Sequence, residues 1–265
     1  ALSWISKNKD NPFFLYLPLT IPHANNEAGR MFGDGAEVPE YGIYEKMDWP
    51  KQDKGQAAMI TRMDKDVGRI LDLLGKLKLA ENTLVVFTSD NGPHNEAKHN
   101  PERFNPSGPL RGMKRTLTEG GIRVPTIAWW PKTVAQGSQC DQPLYFGDLM
   151  ATACELSGAP LPKNLDSVSF LPTLKGESGK QAKHDFLYWE FYERTFRQAV
   201  VVENWKLIRS GMDDERIELY DLSKDVHEDK NLAKEKPELA KKFLAMMEKA
   251  HLPHPNWPTP RSKKK

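Results

Sequence analysis

From Gly55 to Leu79, Ile60, Met63, Val67, Ile70, Leu74 and Leu77 recur at spacings of three and four, which places them on one face of an amphipathic helix. Glu81, Asn82 and Thr83 then turn the chain into Leu84 to Phe87, a continuous apolar, β-prone run, and the polar cluster Thr88 to His94 follows at once. Helix, turn, buried strand and polar loop make an αβ unit. Phe13 to Leu17 is a second short apolar run, closed by Pro18 and Pro22, and it predicts a buried strand with His23 just beyond its end. Residues 24 to 52 are rich in Gly, Pro and charge without a sustained period, so they predict a long surface loop of the kind that can serve as a substrate-facing lid. Ile122 to Trp130 reads as another buried strand, broken by Pro125, and Tyr145 to Leu156 as a helix ending at Gly158.

Beyond about Ser178 the period changes to two. Phe186 to Tyr192, Arg197 to Val202, Trp205 to Arg209 and Arg216 to Tyr220 predict antiparallel strands, with Glu203 and Asn204 turning one hairpin. Pro237 at a first helical position precedes Leu239, Phe243, Met246, Met247 and Ala250, a closing amphipathic helix. The expected class is α/β: a sheet flanked by helices over residues 1–178, then a small α+β subdomain over 179–258 with an antiparallel sheet and its closing helix. Residues 259–265 make a basic tail, disordered from Arg261 on.

Composition narrows the function. A chain of 265 residues that is 38% hydrophobic can bury a sizeable core. Its 38 basic and 36 acidic residues leave a formal net charge of +2, so no global field draws in nucleic acid or an anionic membrane. No apolar run approaches the roughly 20 residues of a membrane-spanning helix. Cys140 and Cys154 give neither a disulfide framework nor zinc-ligand spacing. The first residues, with Leu2, Trp4 and Ile5 spaced like the last turns of a helix and no initiator Met, lead to the expectation that the protein extends upstream, where any export signal would lie.

Three clusters carry candidate chemistry. Ser89-Asp90-Asn91-Gly92-Pro93-His94 directly follows a predicted strand, and ligands of open α/β sheets bind beyond the carboxyl ends of strands. Asp90 and Asn91 offer adjacent hard oxygens suited to Ca²⁺ or Mg²⁺, although two ligands do not complete a calcium site and a turn is the plainer reading of Asp-Asn-Gly taken alone. The second cluster is Leu110-Arg111-Gly112-Met113-Lys114-Arg115 with Glu119-Gly120-Gly121-Ile122-Arg123-Val124-Pro125. Arg111, Lys114, Arg115 and Arg123 there suit an oxyanion such as sulfate or phosphate, between glycines that let the backbone come close; a solvated basic loop is the plainer alternative. His23, third, can give a proton or hydrogen bond to a leaving oxygen, or simply be exposed.

In order and separation these pieces, with Phe14-Leu15-Tyr16-Leu17, Met63-Asp64 and Val67-Gly68, resemble the type I sulfatases, the formylglycine-dependent, arylsulfatase A-like family of the alkaline-phosphatase-like superfamily. Glu218-Leu219-Tyr220-Asp221-Leu222 with Asn231-Leu232 is similar to that family's C-terminal subdomain. The resemblance implies a partial alkaline-phosphatase-like sheet and a sulfuric ester hydrolase acting on a sulfated small molecule or glycan. It implies Asp90 and Asn91 as calcium ligands (Mg²⁺ being the other cation considered), Lys114 as a contact to the substrate sulfate and His23 near the leaving oxygen; Arg111 remains a substrate-binding candidate from its charge alone. It further implies a periplasmic or secreted protein.

The family's formylglycine arises from Cys or Ser in a Cys/Ser-x-Pro-x-Arg motif and works with an early aspartate pair on the metal. Cys140 continues as Asp141-Gln142-Pro143, with proline one place late, and Cys154 lies in an apolar helix. The expectation is therefore that nucleophile and aspartate pair lie upstream, that residues 1–265 alone are inactive, and that both cysteines are structural thiols. Two other readings stay open: a phosphatase or phosphodiesterase of the same superfamily, and a non-catalytic module binding sulfated glycans through Lys114, Arg111 and aromatics such as Trp129.

Overall fold

The helix predicted from Gly55 begins earlier, directly after Pro50. In the computed structural model, which describes residues 1–193, 195–211 and 216–258, it spans Lys51–Lys76 (α3). Before it come α1 (Leu2–Asn8) and α2 (Asn26–Phe32); after it come β1 (Val85–Thr88), α4 (Pro101–Phe104), α5 (Glu119–Ile122) and β2 (Thr126–Trp129). Then follow α6 (Asp148–Ser157), α7 (Leu171–Leu174), strands β3 (Leu187–Phe191), β4 (Arg197–Val202), β5 (Trp205–Ser210) and β6 (Ile217–Asp221), and α8 (Pro237–Ala250). The chain divides into two compact units. The first comprises Ala1–Phe87, His94–Pro106 and Ile127–Gln136; the second comprises Thr88–Pro93, Ser107–Thr126 and everything from Gly137 on.

In the first unit, Met59 and Leu74 of α3 are buried while Ile60 is 45% exposed, so the inward stripe runs slightly off the predicted one. Met59 packs with Ala24, Ala36 and Ala97, and Gly55 lies so close to this layer that a Cβ would come within 1.9 Å of the Ala36 carbonyl oxygen. The fully buried Asp53 of α3 pairs with Arg103 at 2.6 Å and accepts the Asn100 N–H, also at 2.6 Å. A charge-assisted pair of this kind ties the 94–105 loop to the helix.

Two expectations for this unit need correction. Phe13 to Leu17 forms no strand: Phe14 is 76% and Tyr16 64% exposed, and the segment has no ladder partner among the described residues. An apolar run becomes a strand only when another strand satisfies its backbone groups. Residues 24 to 52 are not an uninterrupted loop, since they contain α2 and a 3₁₀ turn at Gly42–Tyr44. Helix α2 buries no residue and rests on its caps: the Asn25 side chain accepts the Ala28 N–H at 3.1 Å, and Gly33 closes it at φ 71°.

In the second unit β3–β4–β5–β6 form an antiparallel meander in chain order. Val202 faces Trp205 across a two-residue turn at Glu203 and Asn204, and Glu203 adopts the positive φ, 52°, that such hairpin turns favour. Both faces of the sheet are covered. On one, Val200, Leu207 and Leu219 pack against Ala240, Phe243 and Met247 of α8; each large side chain buried there contributes about 1.5–3 kcal/mol. On the other, Ala199, Ile208 and Tyr220 pack against Leu117. Helix α6 starts at the fully buried Asp148, whose carboxylate accepts the N–H groups of Tyr145 and Val168 and meets His184 Nε2 at 2.9 Å.

The predicted strand from Ile122 to Trp130 contracts to β2, because Glu119–Ile122 is a single helical turn in which the Arg123 N–H returns to the Glu119 carbonyl at 2.7 Å. The basic tail Arg261 to Lys265 lies outside the described residues. No described helix is long and apolar enough to cross a membrane.

Candidate functional site

Asp90 sits where β1 gives way to a loop, exposed at its tip, and Asn91 is half-buried beside it. The Ser89 hydroxyl donates to the Asn91 carbonyl at 2.9 Å, and Asn91 Nδ2 donates to the Gly92 carbonyl at 2.8 Å. With its amide nitrogen turned to the backbone, Asn91 has Oδ1 as the atom for a cation, next to the Asp90 carboxylate. These are hard oxygen donors, in keeping with Ca²⁺ or Mg²⁺. Among the described residues no group of three or more His, Cys, Asp and Glu gathers in a metal-binding arrangement, and two oxygen donors alone do not complete a calcium site.

Two backbone hydrogen bonds join the Asp90 loop to the basic cluster. The Gly92 N–H donates to the Gly121 carbonyl at 2.9 Å, and the Lys114 N–H donates to the Pro93 carbonyl at 2.8 Å. A Cβ on Gly92 would fall 1.9 Å from the Gly120 carbonyl oxygen, so only glycine allows this approach. Gly92→Ala is expected to destabilise the loop by about 1–3 kcal/mol, the usual range for overpacking. Chemical denaturation together with faster amide exchange at Lys114 would register it; unchanged exchange would mean that the two loops do not depend on this contact.

The rest of the cluster is sorted by its partners. Arg111 donates from Nη2 to the Tyr220 hydroxyl at 3.0 Å and lies over that ring, while its Nε is buried without a hydrogen-bond partner. Burial pushes the Tyr220 hydroxyl up to about 12, so at neutral pH Arg111 faces a neutral phenol. Arg115 Nε donates to both carboxylate oxygens of Glu193 at 2.9 Å, and Arg123 reaches Glu119 at 3.6 Å. Two of the four predicted cations are thus committed to carboxylates. Lys114 is half-buried between glycine-rich turns: Gly112 has φ 87°, and the Gly120 N–H donates to the Arg111 carbonyl at 2.8 Å.

His23 belongs to the first unit. It follows a cis Ile21–Pro22 bond, its Nδ1 meets the Ala24 carbonyl at 2.8 Å, and its Nε2 lies 3.6 Å from Glu96. His94, to which the sequence assigns no role, holds the same turn: its Nδ1 accepts the Glu96 N–H at 3.1 Å and its Nε2 lies 3.2 Å from the Pro22 carbonyl. An acceptor at Nδ1 and a donor at Nε2 together define the neutral Nε2–H tautomer. Glu96 and His94 escape a reading based on spacing because their partners lie more than 70 residues away along the chain.

Against the expectation that the Cys/Ser-x-Pro-x-Arg pattern lies only upstream, Ser107-Gly108-Pro109-Leu110-Arg111 has Ser-x-Pro-x-Arg spacing. It is a turn: the Ser107 hydroxyl donates to the Gly112 carbonyl at 2.8 Å, and Arg111 is bound to Tyr220. Cys140 is exposed, and Cys154 is part-buried in α6. None of the three is placed as a nucleophile.

Comparison with known proteins decides the family. The sulfatase profile matches residues 1–159. The chain belongs to the sulfatase family. A profile for the C-terminal region of N-sulphoglucosamine sulphohydrolase matches residues 113–252, which contain the four-stranded meander of this sulfatase chain. Human steryl-sulfatase is 34% identical over 193 residues, 71% of this chain and 30% of that protein. An N-acetylgalactosamine-6-O-sulfatase of Bacteroides thetaiotaomicron is 29% identical over 269 residues, 94% of this chain and 49% of that protein. The crystal structure of Ps i-CgsB in complex with k-i-k-neocarrahexaose superposes with a TM-score of 0.76 at 25% identity, covering 98% of this chain and 55% of that one. The chain therefore spans between about a third and a half of the length of these relatives, and its α/β architecture is that of the sulfatases.

Proposed function

We propose that this chain forms part of a calcium-dependent sulfuric ester hydrolase acting on a sulfated sugar, with Asp90, Asn91, Arg111, Lys114 and His23 as its contribution to the reaction. The observation that carries the reading is the pair of hydrogen bonds from Gly92 to Gly121 and from Lys114 to Pro93, which holds a hard-oxygen loop and a cationic loop as one piece. Such a piece suits a sulfate ester, whose oxygens call for positive charge and whose counter-cation calls for carboxylate and amide oxygens.

Asp90 and Asn91 Oδ1 would hold the cation, Ca²⁺ in preference to Mg²⁺ because two oxygens on an exposed loop suit the more adaptable coordination sphere. When bound, the cation supplies charge compensation at sulfate oxygens. Lys114 binds a sulfate oxygen as a point charge and stabilises the negative charge that grows there. Arg111, fixed by Tyr220, adds positive charge to the same cluster. His23, whose Nδ1 meets the Ala24 carbonyl and whose Nε2 lies 3.6 Å from Glu96, is the candidate for proton transfer to the leaving oxygen. No residue described here fits the formylglycine role, so no step is assigned to one. The sugar class is inferred from the relatives that carry N-acetylgalactosamine-6-O-sulfatase and neocarrahexaose in their descriptions, and with it comes a periplasmic or secreted setting.

The test is sulfate release from a chromogenic aryl sulfate by the protein that carries this chain, before and after chelation. Turnover lost with chelator and restored by Ca²⁺ is expected; residues 1–265 alone should show none. Turnover indifferent to chelation would overturn the metal assignment, and sulfated-glycan binding without turnover would make the chain part of a binding protein.

A further inference from the structure

A buried charged triad in the second unit contacts the turn that opens at Glu119. Lys206 of β5 is fully buried, and its Nζ sits 2.9 Å from Glu119 Oε1 and 3.0 Å from Glu228 Oε1. Glu228 is also fully buried, and its Oε2 accepts the Glu119 N–H at 2.7 Å. Its backbone has φ 60°, a conformation unfavourable for a residue other than glycine. Lys206 and Ile208 lie two residues apart in β5 and so share the sheet face that packs on Leu117.

Burying three charges costs several kcal/mol per ion, and an apolar replacement of similar shape is often neutral or stabilising. Core stability therefore does not account for the triad. Its geometry does: Glu119 opens the turn Glu119–Ile122, whose Gly121 carbonyl receives the Gly92 N–H and whose Gly120 N–H donates to the Arg111 carbonyl. A Cβ on Gly120 would lie 2.2 Å from the Gly112 carbonyl oxygen, and one on Gly121 equally close to that of Thr116. The turn is thus in direct backbone contact with both site loops, and a shift of Glu119 moves them. Burial pushes the Glu228 carboxyl up, against the opposing pull of Lys206 and the Glu119 N–H.

We propose that Lys206 and Glu228 are positioning residues for the sulfatase site: they clamp Glu119 so that its turn holds the Asp90–Asn91 loop and the Lys114 loop in register. The assignment of those loops to cation and sulfate rests on the function proposed above; the clamp itself does not.

Hydrogen exchange separates the two. In Lys206→Gln the amides of Gly92 and Lys114 should exchange at least about 10-fold faster relative to those of β4 and β5, with Lys206→Arg restoring much of the protection. Ca²⁺ affinity, measured by direct titration, should fall about 10- to 100-fold, the usual cost of losing an outer-shell partner. Unchanged relative exchange at Gly92 and Lys114, even with lower overall stability, would reduce the triad to a core ion pair and overturn the proposal. Faster exchange in a protein that binds no Ca²⁺ would uphold the clamp and remove the metal reading instead. Should Lys206→Gln not fold, Glu119→Gln, which keeps an acceptor for the lysine, is read by the same exchange ratio and decides the matter.

Discussion

Asp90→Ala, made in the protein that carries this chain, is expected to abolish chelator-sensitive sulfate release. On the proposed reading the substitution removes the charged member of the Asp90–Asn91 donor pair and leaves only the neutral Asn91 from it. Loss of an outer-shell partner already costs about 10- to 100-fold in affinity or activity, so loss of a direct ligand should exceed that. Asp90 is exposed at the loop tip and forms no part of either cluster in its unit, so thermal stability without Ca²⁺ should stay within about 0.5 kcal/mol of the parent. Inactivity with intact folding and lost Ca²⁺ binding is the expected pattern. Near-normal turnover would refute the metal role and leave Asp-Asn-Gly as a turn.

The second large effect is expected at Lys114. On the proposed reading Lys114→Ala removes a charge-assisted contact to a sulfate oxygen, and kcat should fall about 10²- to 10³-fold, as on loss of an oxyanion donor. The Lys114 N–H bond to Pro93 involves the backbone alone, so it survives the substitution and the loop keeps its path. Steady-state kinetics on a small aryl sulfate checks this, with Ca²⁺ affinity measured alongside. A drop in melting temperature with unchanged kcat would mark the lysine as structural.

The elements that announced themselves in the sequence were those whose partners are near in the chain. The four strands of the meander were legible because consecutive strands pair with one another and alternate between two covered faces. Helix α8 was legible from Pro237 and the stripe of Phe243 and Met247. Phe13 to Leu17 has the composition of a strand, but composition does not supply a ladder partner. Helix α2 was missed because a cap at Asn25 and a closing glycine, with no apolar stripe, define it.

The site divides along the same line. Asp90, Asn91 and Lys114 are candidates that residue type and local order suggest. The clamp beneath them was not, since Lys206 reads as one more polar position in a strand and Glu228 as a surface acid, and only folding across 87 and 109 residues brings them to Glu119. Arg111 shows the converse: its type suggested a substrate contact, while its tie to Tyr220 depends on a strand 109 residues away.

A sheet with both faces covered also orders events during synthesis. The loops that carry Asp90 and Lys114 leave the ribosome about a hundred residues before β5, β6 and Glu228, the parts that hold Leu117, Arg111 and Glu119 in place. Until β5, β6 and Glu228 have emerged and paired, the site loops lack these supports. A nascent chain stopped short of Glu228 should therefore leave them open to protease attack, however complete its upstream part may be.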